Sequence, residues 1–324
     1  MNPRYFDFKL IIGLFIIVVL ITGFYGPISE HLYTLNHYYV LLGFSVLLIV
    51  IFIKQVKWYF LLRGVSKNRK LAFKSFFTGQ FINEIAPMGT GDLAKAYMVR
   101  RHSRKSFGFA LSVPYMERIM DIAVLSSIAV LSSLFLFFTT ISSYVSLIFV
   151  LIMLLAIGFF LLAIFPKKIA GFVKHILERV ERLIPLKLLE KLISKIELFL
   201  LEIAKDFQGA LKVFRDKKLF ISMMLLLAIS DWILEGVCQV FLLNSLGYTI
   251  PVLVSIGIVS VSWLVSIPSM IPGGLGIREA VLSLLFTSFG IPFSAALVSV
   301  LIYRGLVVLM FGSGSLVSLK IKPG

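Results

Sequence analysis

Long apolar runs separated by short polar connections organise this chain. Six of them, at 8–25, 39–60, 112–138, 144–165, 219–246 and 295–319, are long enough, at about 1.5 Å per residue, to cross a hydrocarbon core about 30 Å thick. Each predicts a membrane-spanning helix. The first run follows a weakly charged start and has no small-residue cleavage pattern before Pro27, so it reads as a retained helix and not as a signal peptide.

Two further apolar stretches are interrupted near their middles. The stretch 73–99 breaks at Ala86-Pro87-Met88-Gly89-Thr90-Gly91-Asp92, and 252–289 breaks at Ile271-Pro272-Gly273-Gly274-Leu275-Gly276. Proline and clustered glycine end a helix, and irregular backbone at membrane depth persists only where protein or a wet cavity satisfies the freed amides and carbonyls. Basic clusters flank the first stretch on both sides, which predicts a re-entrant hairpin returning to the face it entered from. Uncharged linkers flank the second, which predicts a hairpin entering from the opposite face.

The two breaks also match each other. Pro87-x-Gly89-x-Gly91 repeats the spacing of Pro272-x-Gly274-x-Gly276, and each is followed by an arginine inside a span, Arg118 and Arg304. The order span, broken hairpin, span occurs twice with opposite sense, the pattern of an inverted repeat whose substrate site forms where the broken elements meet. Two unrelated kinks are the plainer alternative.

The expected fold is an all-α polytopic membrane protein with six transmembrane helices and two re-entrant broken-helix hairpins, forming a single domain over 1–324. Its first half is 1–165 with hairpin 73–99, and its second is 219–324 with hairpin 252–289. Between them, 166–218 alternates Lys and Glu with Ile169, Phe172, Val173, Ile176, Leu177 and Val180 at helical spacing. That pattern predicts amphipathic helices on the cytoplasmic face, and a packed linker between the halves fits it equally well.

Composition agrees with a bilayer: 59% of residues are hydrophobic and 15% charged, outside the balance of a soluble domain. The net charge of +16 raises nucleic acid as a partner, but the placement of the basic residues argues against it. Arg63, Lys67, Arg69, Lys70 and Lys74 follow the second span, and Arg100, Arg101, Arg104 and Lys105 follow the first hairpin, whereas the linkers 26–38, 139–143, 247–251 and 288–293 hold no Lys or Arg. With both termini cytoplasmic every basic connection lies inside, as in a multi-pass protein of a cell membrane. Cys238 is the lone cysteine, and His31, His37, His102 and His175 lack metal-ligand spacing, so neither a metal nor a cofactor is expected.

Ionisable groups at membrane depth are costly, which makes them functional candidates. Here they gather around the breaks: Glu84 and Asp92 in the first hairpin, with the polar Asn83 before its turn, Glu117, Arg118 and Asp121 in the next span, Arg278 and Glu279 in the second hairpin, and Arg304 in the last span. Asp231 and Glu235 sit one turn apart in the fifth span. Mutual neutralisation is the structural alternative. Arginine grips phosphate through its planar fork, and the turns at Gly89, Gly91, Gly273, Gly274 and Gly276 lead into half-helices whose N–H groups favour an anion. The expected substrate site therefore comprises these residues, with Arg118, Arg278 and Arg304 on the phosphate and Glu117, Asp121 and Glu279 orienting them or binding a coupling proton. No zinc-protease, phosphate-loop or serine-elbow motif points to an enzyme.

The segment from Gly79-Gln80-Phe81-Ile82-Asn83-Glu84 through Asp92-Leu93-Ala94-Lys95-Ala96, then Glu117-Arg118-x-x-Asp121, then Pro272-Gly273-Gly274-Leu275-Gly276-Ile277-Arg278-Glu279-Ala280, resembles the flippase-like transmembrane domain of lysylphosphatidylglycerol synthases and related free-standing prokaryotic proteins. The resemblance covers nearly the whole chain. It implies the lipid-translocating part without the soluble aminoacyl-transfer domain, and leaves the lipid open. The resulting expectation is a flippase for an anionic phospholipid or polyprenyl-phosphate-linked lipid, with a second copy of the chain or a lipid-modifying enzyme as partner classes. A membrane-embedded enzyme subunit for lipid or lipid-linked glycan modification is the alternative, and a small-solute transporter a third.

Overall fold

The computed structural model describes residues 25–86, 89–103, 106–139, 218–266 and 274–321, with Val18, Thr22 and Gly23. Within them the regular elements are helices: α1 Tyr25–Tyr33, α2 His37–Arg63, α3 Arg69–Ile85, α4 Thr90–Ser103, α5 Phe107–Thr139, α6 Lys218–Asn244, α7 Val252–Ser266, α8 Ile277–Thr287 and α9 Phe293–Leu319. Of the expected spans, 39–60, 112–138, 219–246 and 295–319 fall in α2, α5, α6 and α9. The runs 8–25 and 144–165 and the amphipathic segment 166–218 lie almost wholly outside the described residues, as do Pro87, Pro272 and Gly273. The linker 26–38 carries α1, which includes Pro27.

Three of these helices, α2, α6 and α9, are each long and apolar enough to cross a membrane. Their surfaces agree, because large apolar side chains such as Leu41, Phe52, Leu226, Leu309 and Leu316 face outward while Lys57, Asp231, Glu235 and Glu279 are buried. That inside-out distribution suits a lipid solvent and would be costly in water.

Both broken stretches fold as helix pairs. Asn68 opens α3 by accepting the Leu71 amide at 3.0 Å, and Ala86 ends it in extended backbone. The chain then reverses through Gly89 at φ 87°, a conformation only glycine adopts cheaply. Beyond the turn α3 and α4 cross so closely that a Cβ on Gly91 would strike the Gly79 carbonyl and the Asn83 side chain.

The packing order is nearly unchanged when the two halves are exchanged. Helix α3 of the first half packs on α9 of the second, and α7 of the second packs on α5 of the first; α4 packs on α5 as α8 does on α9. Helices α2 and α6, each of which precedes a broken stretch, pack together most extensively and run antiparallel: the Asn36 amide donates to the Ser245 carbonyl at 2.8 Å, the Cys238 thiol to the Gly43 carbonyl at 3.3 Å, and Lys57 to Asp231 at 2.8 Å. These two helices therefore point in opposite directions, as the expected inverted repeat would have them. Two apolar cores result. One groups α7, α8 and α9 with parts of α5 and α6, and the other groups α2, α3 and α4 with Met224, Cys238, Tyr303 and Phe311.

Placing Ala at Gly91 forces the hairpin arms apart and is expected to destabilise the fold by about 1–3 kcal/mol. Gly305, whose Cβ would enter open space, serves as the control. Thermal unfolding in detergent should show a lowered midpoint for Gly91→Ala and none for Gly305→Ala.

Candidate functional site

Where the two cores meet, the helices turn ionisable side chains towards one another. Helix α2 contributes Lys54 and Lys57, α5 contributes Glu117, Arg118 and Asp121, and α6 contributes Asp231 and Glu235; Lys54 and Lys57, Asp121 with Glu117 and Arg118, and Asp231 and Glu235 lie three or four residues apart and so share a face of their helix. The hairpins add Glu84 from α3, Asp92 and Lys95 from α4, and Arg278 and Glu279 from α8, and α9 adds Arg304.

Nearly every charge is paired at contact distance. Lys57 Nζ lies 2.5 Å from Asp121 Oδ1 and 2.8 Å from Asp231 Oδ2. Lys54 donates to Glu235 at 2.5 Å, and Lys95 to Glu117 at 2.9 Å. Arg118 Nε reaches Asp92 Oδ2 at 2.7 Å, and Arg304 contacts Glu279 directly, with Glu84 Oε2 at 3.7 Å. The same relation thus recurs in both halves: an acid early in the half-helix after the break holds an arginine of the following span. Lys95 also lies 4.6 Å from the centre of the Trp58 ring and Lys54 4.8 Å from that of Trp232, where the ring quadrupole favours a cation.

The half-helix starts are capped from within. The Gly91 amide donates to Asn83 Oδ1 at 2.9 Å, and Asn83 Nδ2 donates to Asp92 at 3.2 Å. The Gly276 amide, at φ 80°, donates to Glu279 Oε2 at 2.6 Å. The N–H groups expected from sequence to face an anion are therefore engaged at Gly91 and Gly276 by the protein's own side chains.

Arg278 is held differently. Its guanidinium stacks 4.3 Å from the Trp263 ring and 5.6 Å from that of Tyr303, its nearest carboxylate oxygen is Glu235 Oε2 at 3.7 Å, and its buried Nε has no acceptor among the described residues. It lines a cavity of about 60 Å³ together with Lys54, Lys57, Glu84, Glu117 and Asp121. Asn83, Arg118 and Gly274 also reach that cavity, whereas Asp92, Glu279 and Arg304 stand behind it as ion-pair partners. Gly89 forms the hairpin turn away from the lining. At roughly 30 Å³ per water the cavity has room for only a few water molecules.

Sequence reasoning passed over Lys54 and Lys57 because both lie near the end of an apolar run, where lysine ordinarily extends to the headgroups. The signal that finds them is complementarity. A lysine pair at i, i+3 in one span faces an acidic pair at i, i+4 in another, so that two antiparallel helices can neutralise each other. Trp263 and Tyr303 carried no such signal.

Removing a buried ion's partner leaves an uncompensated charge and typically costs about 3–5 kcal/mol. Lys57→Met should therefore destabilise the protein by about that amount, and adding Asp121→Asn and Asp231→Asn should restore most of it, as measured by denaturant unfolding in micelles.

The sequence comparisons fit this arrangement. Residues 9–313 match the family described as the lysylphosphatidylglycerol synthase TM region. The chain is 26% identical over 321 residues to a UPF0104 membrane protein of Methanocaldococcus jannaschii, covering 91% of this chain and 88% of the relative. It is 22% identical over 291 residues to a UPF0104 membrane protein of Methanothermobacter thermautotrophicus, covering 86% and 84%. No solved structure matches it. With its apolar exterior, its long spanning helices and a family match over nearly its whole length, the chain belongs to the lysylphosphatidylglycerol synthase transmembrane-region family of multi-pass membrane proteins.

Proposed function

We propose that this protein moves an anionic lipid, a phospholipid or a polyprenyl-phosphate-linked lipid, between leaflets by admitting its headgroup to the cavity at Arg278. The observation that carries this reading is Arg278 itself. It is buried and braced by Trp263 and Tyr303, yet its Nε is without an acceptor among the described residues. A phosphate oxygen would complete its donor fork. Arg118 and Arg304 are already bound by carboxylates and act as struts that hold the hairpins to α5 and α9.

The small cavity supports an occluded resting state in which the two hairpins separate to receive the headgroup. Lipid tails would stay in the bilayer, so only the polar head needs the protein interior. Alternating access would follow from the inverted halves, with one hairpin opening while the other stays closed. The termini would lie on the cytoplasmic side, with the basic connections on the anionic leaflet.

Proteoliposomes carrying fluorescent phosphatidylglycerol test this directly. Loss of a charged hydrogen bond is worth about 1.5–3 kcal/mol, so Arg278→Gln should slow leaflet exchange roughly ten- to hundred-fold, with Arg278→Lys intermediate. Exchange by wild type no faster than in protein-free vesicles, for phosphatidylglycerol and for a polyprenyl phosphate, would overturn the reading. Lipid turnover without exchange would favour a role as an enzyme subunit.

A further inference from the structure

Counted over the buried cluster, the charges do not balance. Lys54, Lys57, Lys95, Arg118, Arg278 and Arg304 are the cations among the described residues, and Glu84, Asp92, Glu117, Asp121, Asp231, Glu235 and Glu279 the carboxylates. One carboxylate is in excess.

The excess is local. Lys57, almost completely buried, is the one cation in contact with two carboxylates from different spans at under 3 Å, Asp121 and Asp231. Asp231 has no exposed surface, and its second oxygen, Oδ1, has no partner among the described residues. The next two turns of the same face are also short of donors: Glu235 Oε2 is buried beside the Tyr303 hydroxyl with Arg278 only at 3.7 Å, and the buried Gln239 Oε1 has no donor among the described residues. Three acceptors one turn apart, facing too few hydrogens, call for positive charge or for hydrogen.

Surrounding groups do not supply it. On α2 Lys54 is engaged by Glu235, and on α5 Glu117 adds negative charge while Arg118 is held by Asp92. From α4, Lys95 is taken by Glu117; from α9, Arg304 is taken by Glu279 and by Glu84 of α3, while the Tyr303 hydroxyl lies beside Glu235 and not at Asp231; α7 offers no charged side chain. Arg278 of α8 faces Glu235 at 3.7 Å, beyond hydrogen-bond contact. No group of three or more metal-ligating side chains occurs among the described residues, which favours a proton over a metal ion.

We propose that Lys57, Asp121 and Asp231 form a proton-binding site that takes up one proton together with each anionic headgroup entering at Arg278. The proton adds to the carboxylate pair and belongs to the pair rather than to one residue. Uptake turns a triad of net charge −1 into a neutral one, and no bond other than O–H is made. Asp121 and Lys57 line the cavity, so the proton arrives from cavity water. An incoming monoanion would otherwise raise the cluster's deficit to two negative charges at membrane depth, where unpaired charge is most costly. The proton site stands on the triad alone; its coupling to lipid rests on the function proposed above.

Infrared difference spectra of the purified wild-type protein between pH 5 and pH 9 test the site without reference to transport. A carboxylic-acid carbonyl band that shifts in D2O and disappears at high pH is expected, and it should be lost in Asp231→Asn and lost or shifted in Asp121→Asn. Absence of a titrating band in wild type overturns the site. So does a band retained unchanged in both variants, or one that appears only when sodium is withdrawn. For coupling, one proton per lipid means that a transmembrane gradient of one pH unit shifts the leaflet distribution of phosphatidylglycerol about ten-fold. Asp231→Asn should remove that shift. Lipid exchange indifferent to the gradient overturns the coupling and leaves the site, whereas a titrating band with no exchange in wild type counts against the transport reading alone.

Discussion

An ion buried without water must carry its counter-ion with it, and that constraint arranges this molecule. Side chains of α2, α5, α6, α9 and both hairpins meet because each charged group needs a partner that its own helix does not provide. Lys57 ties α2 to α5 and α6 at once. Arg118 ties α5 to the first hairpin, and Arg304 ties α9 to both hairpins through Glu279 and Glu84. Apolar packing between spans gains little in lipid, which is as apolar as leucine. The ion pairs therefore select which helices meet and in what register, and the two apolar cores fill in on either side.

That division explains what the sequence disclosed. Apolar length located α2, α5, α6 and α9 to within a few residues, because a bilayer sets the length of a span. Pro-Gly clusters located the two hairpins, because no spanning helix tolerates them without help from the surrounding protein. The matched spacing of Pro87 and Pro272 pointed to a duplication, and α3 packs on α9 as α7 packs on α5. Partner choice was not legible. Asp92, Glu279 and the three arginines were all conspicuous at membrane depth, yet nothing in their spacing separates Arg118 and Arg304, which are held by carboxylates, from Arg278, which leans on Trp263. That difference depends on distances between elements far apart in sequence. Lys54 and Lys57 were hidden for a related reason, since their role appears only once α6 is laid antiparallel against α2.

The same ion pairs give the site its selectivity. Under the proposed function, a cavity with room for a few waters, lined by opposite charges at contact distance, would open by exchanging pairs rather than breaking them. A phosphate is suited to such an exchange because it can replace Glu235 near Arg278 at little cost. The glycine turns behind it allow the half-helices to shift without disturbing the spans. The fold rests on this network, the proposed closure and headgroup recognition would rest on it too, and the family to which the chain belongs is lipid-related.

The central claim, that the network receives a lipid headgroup, is tested most directly by a cryo-electron microscopy map of the protein in nanodiscs of anionic phospholipid. The account predicts phosphate density between the Gly274 turn and the Arg278 guanidinium, with Glu235 drawn away from it. Phosphates confined to the two leaflet surfaces, with Arg278 and Glu235 in direct contact and only water in the cavity, would contradict it.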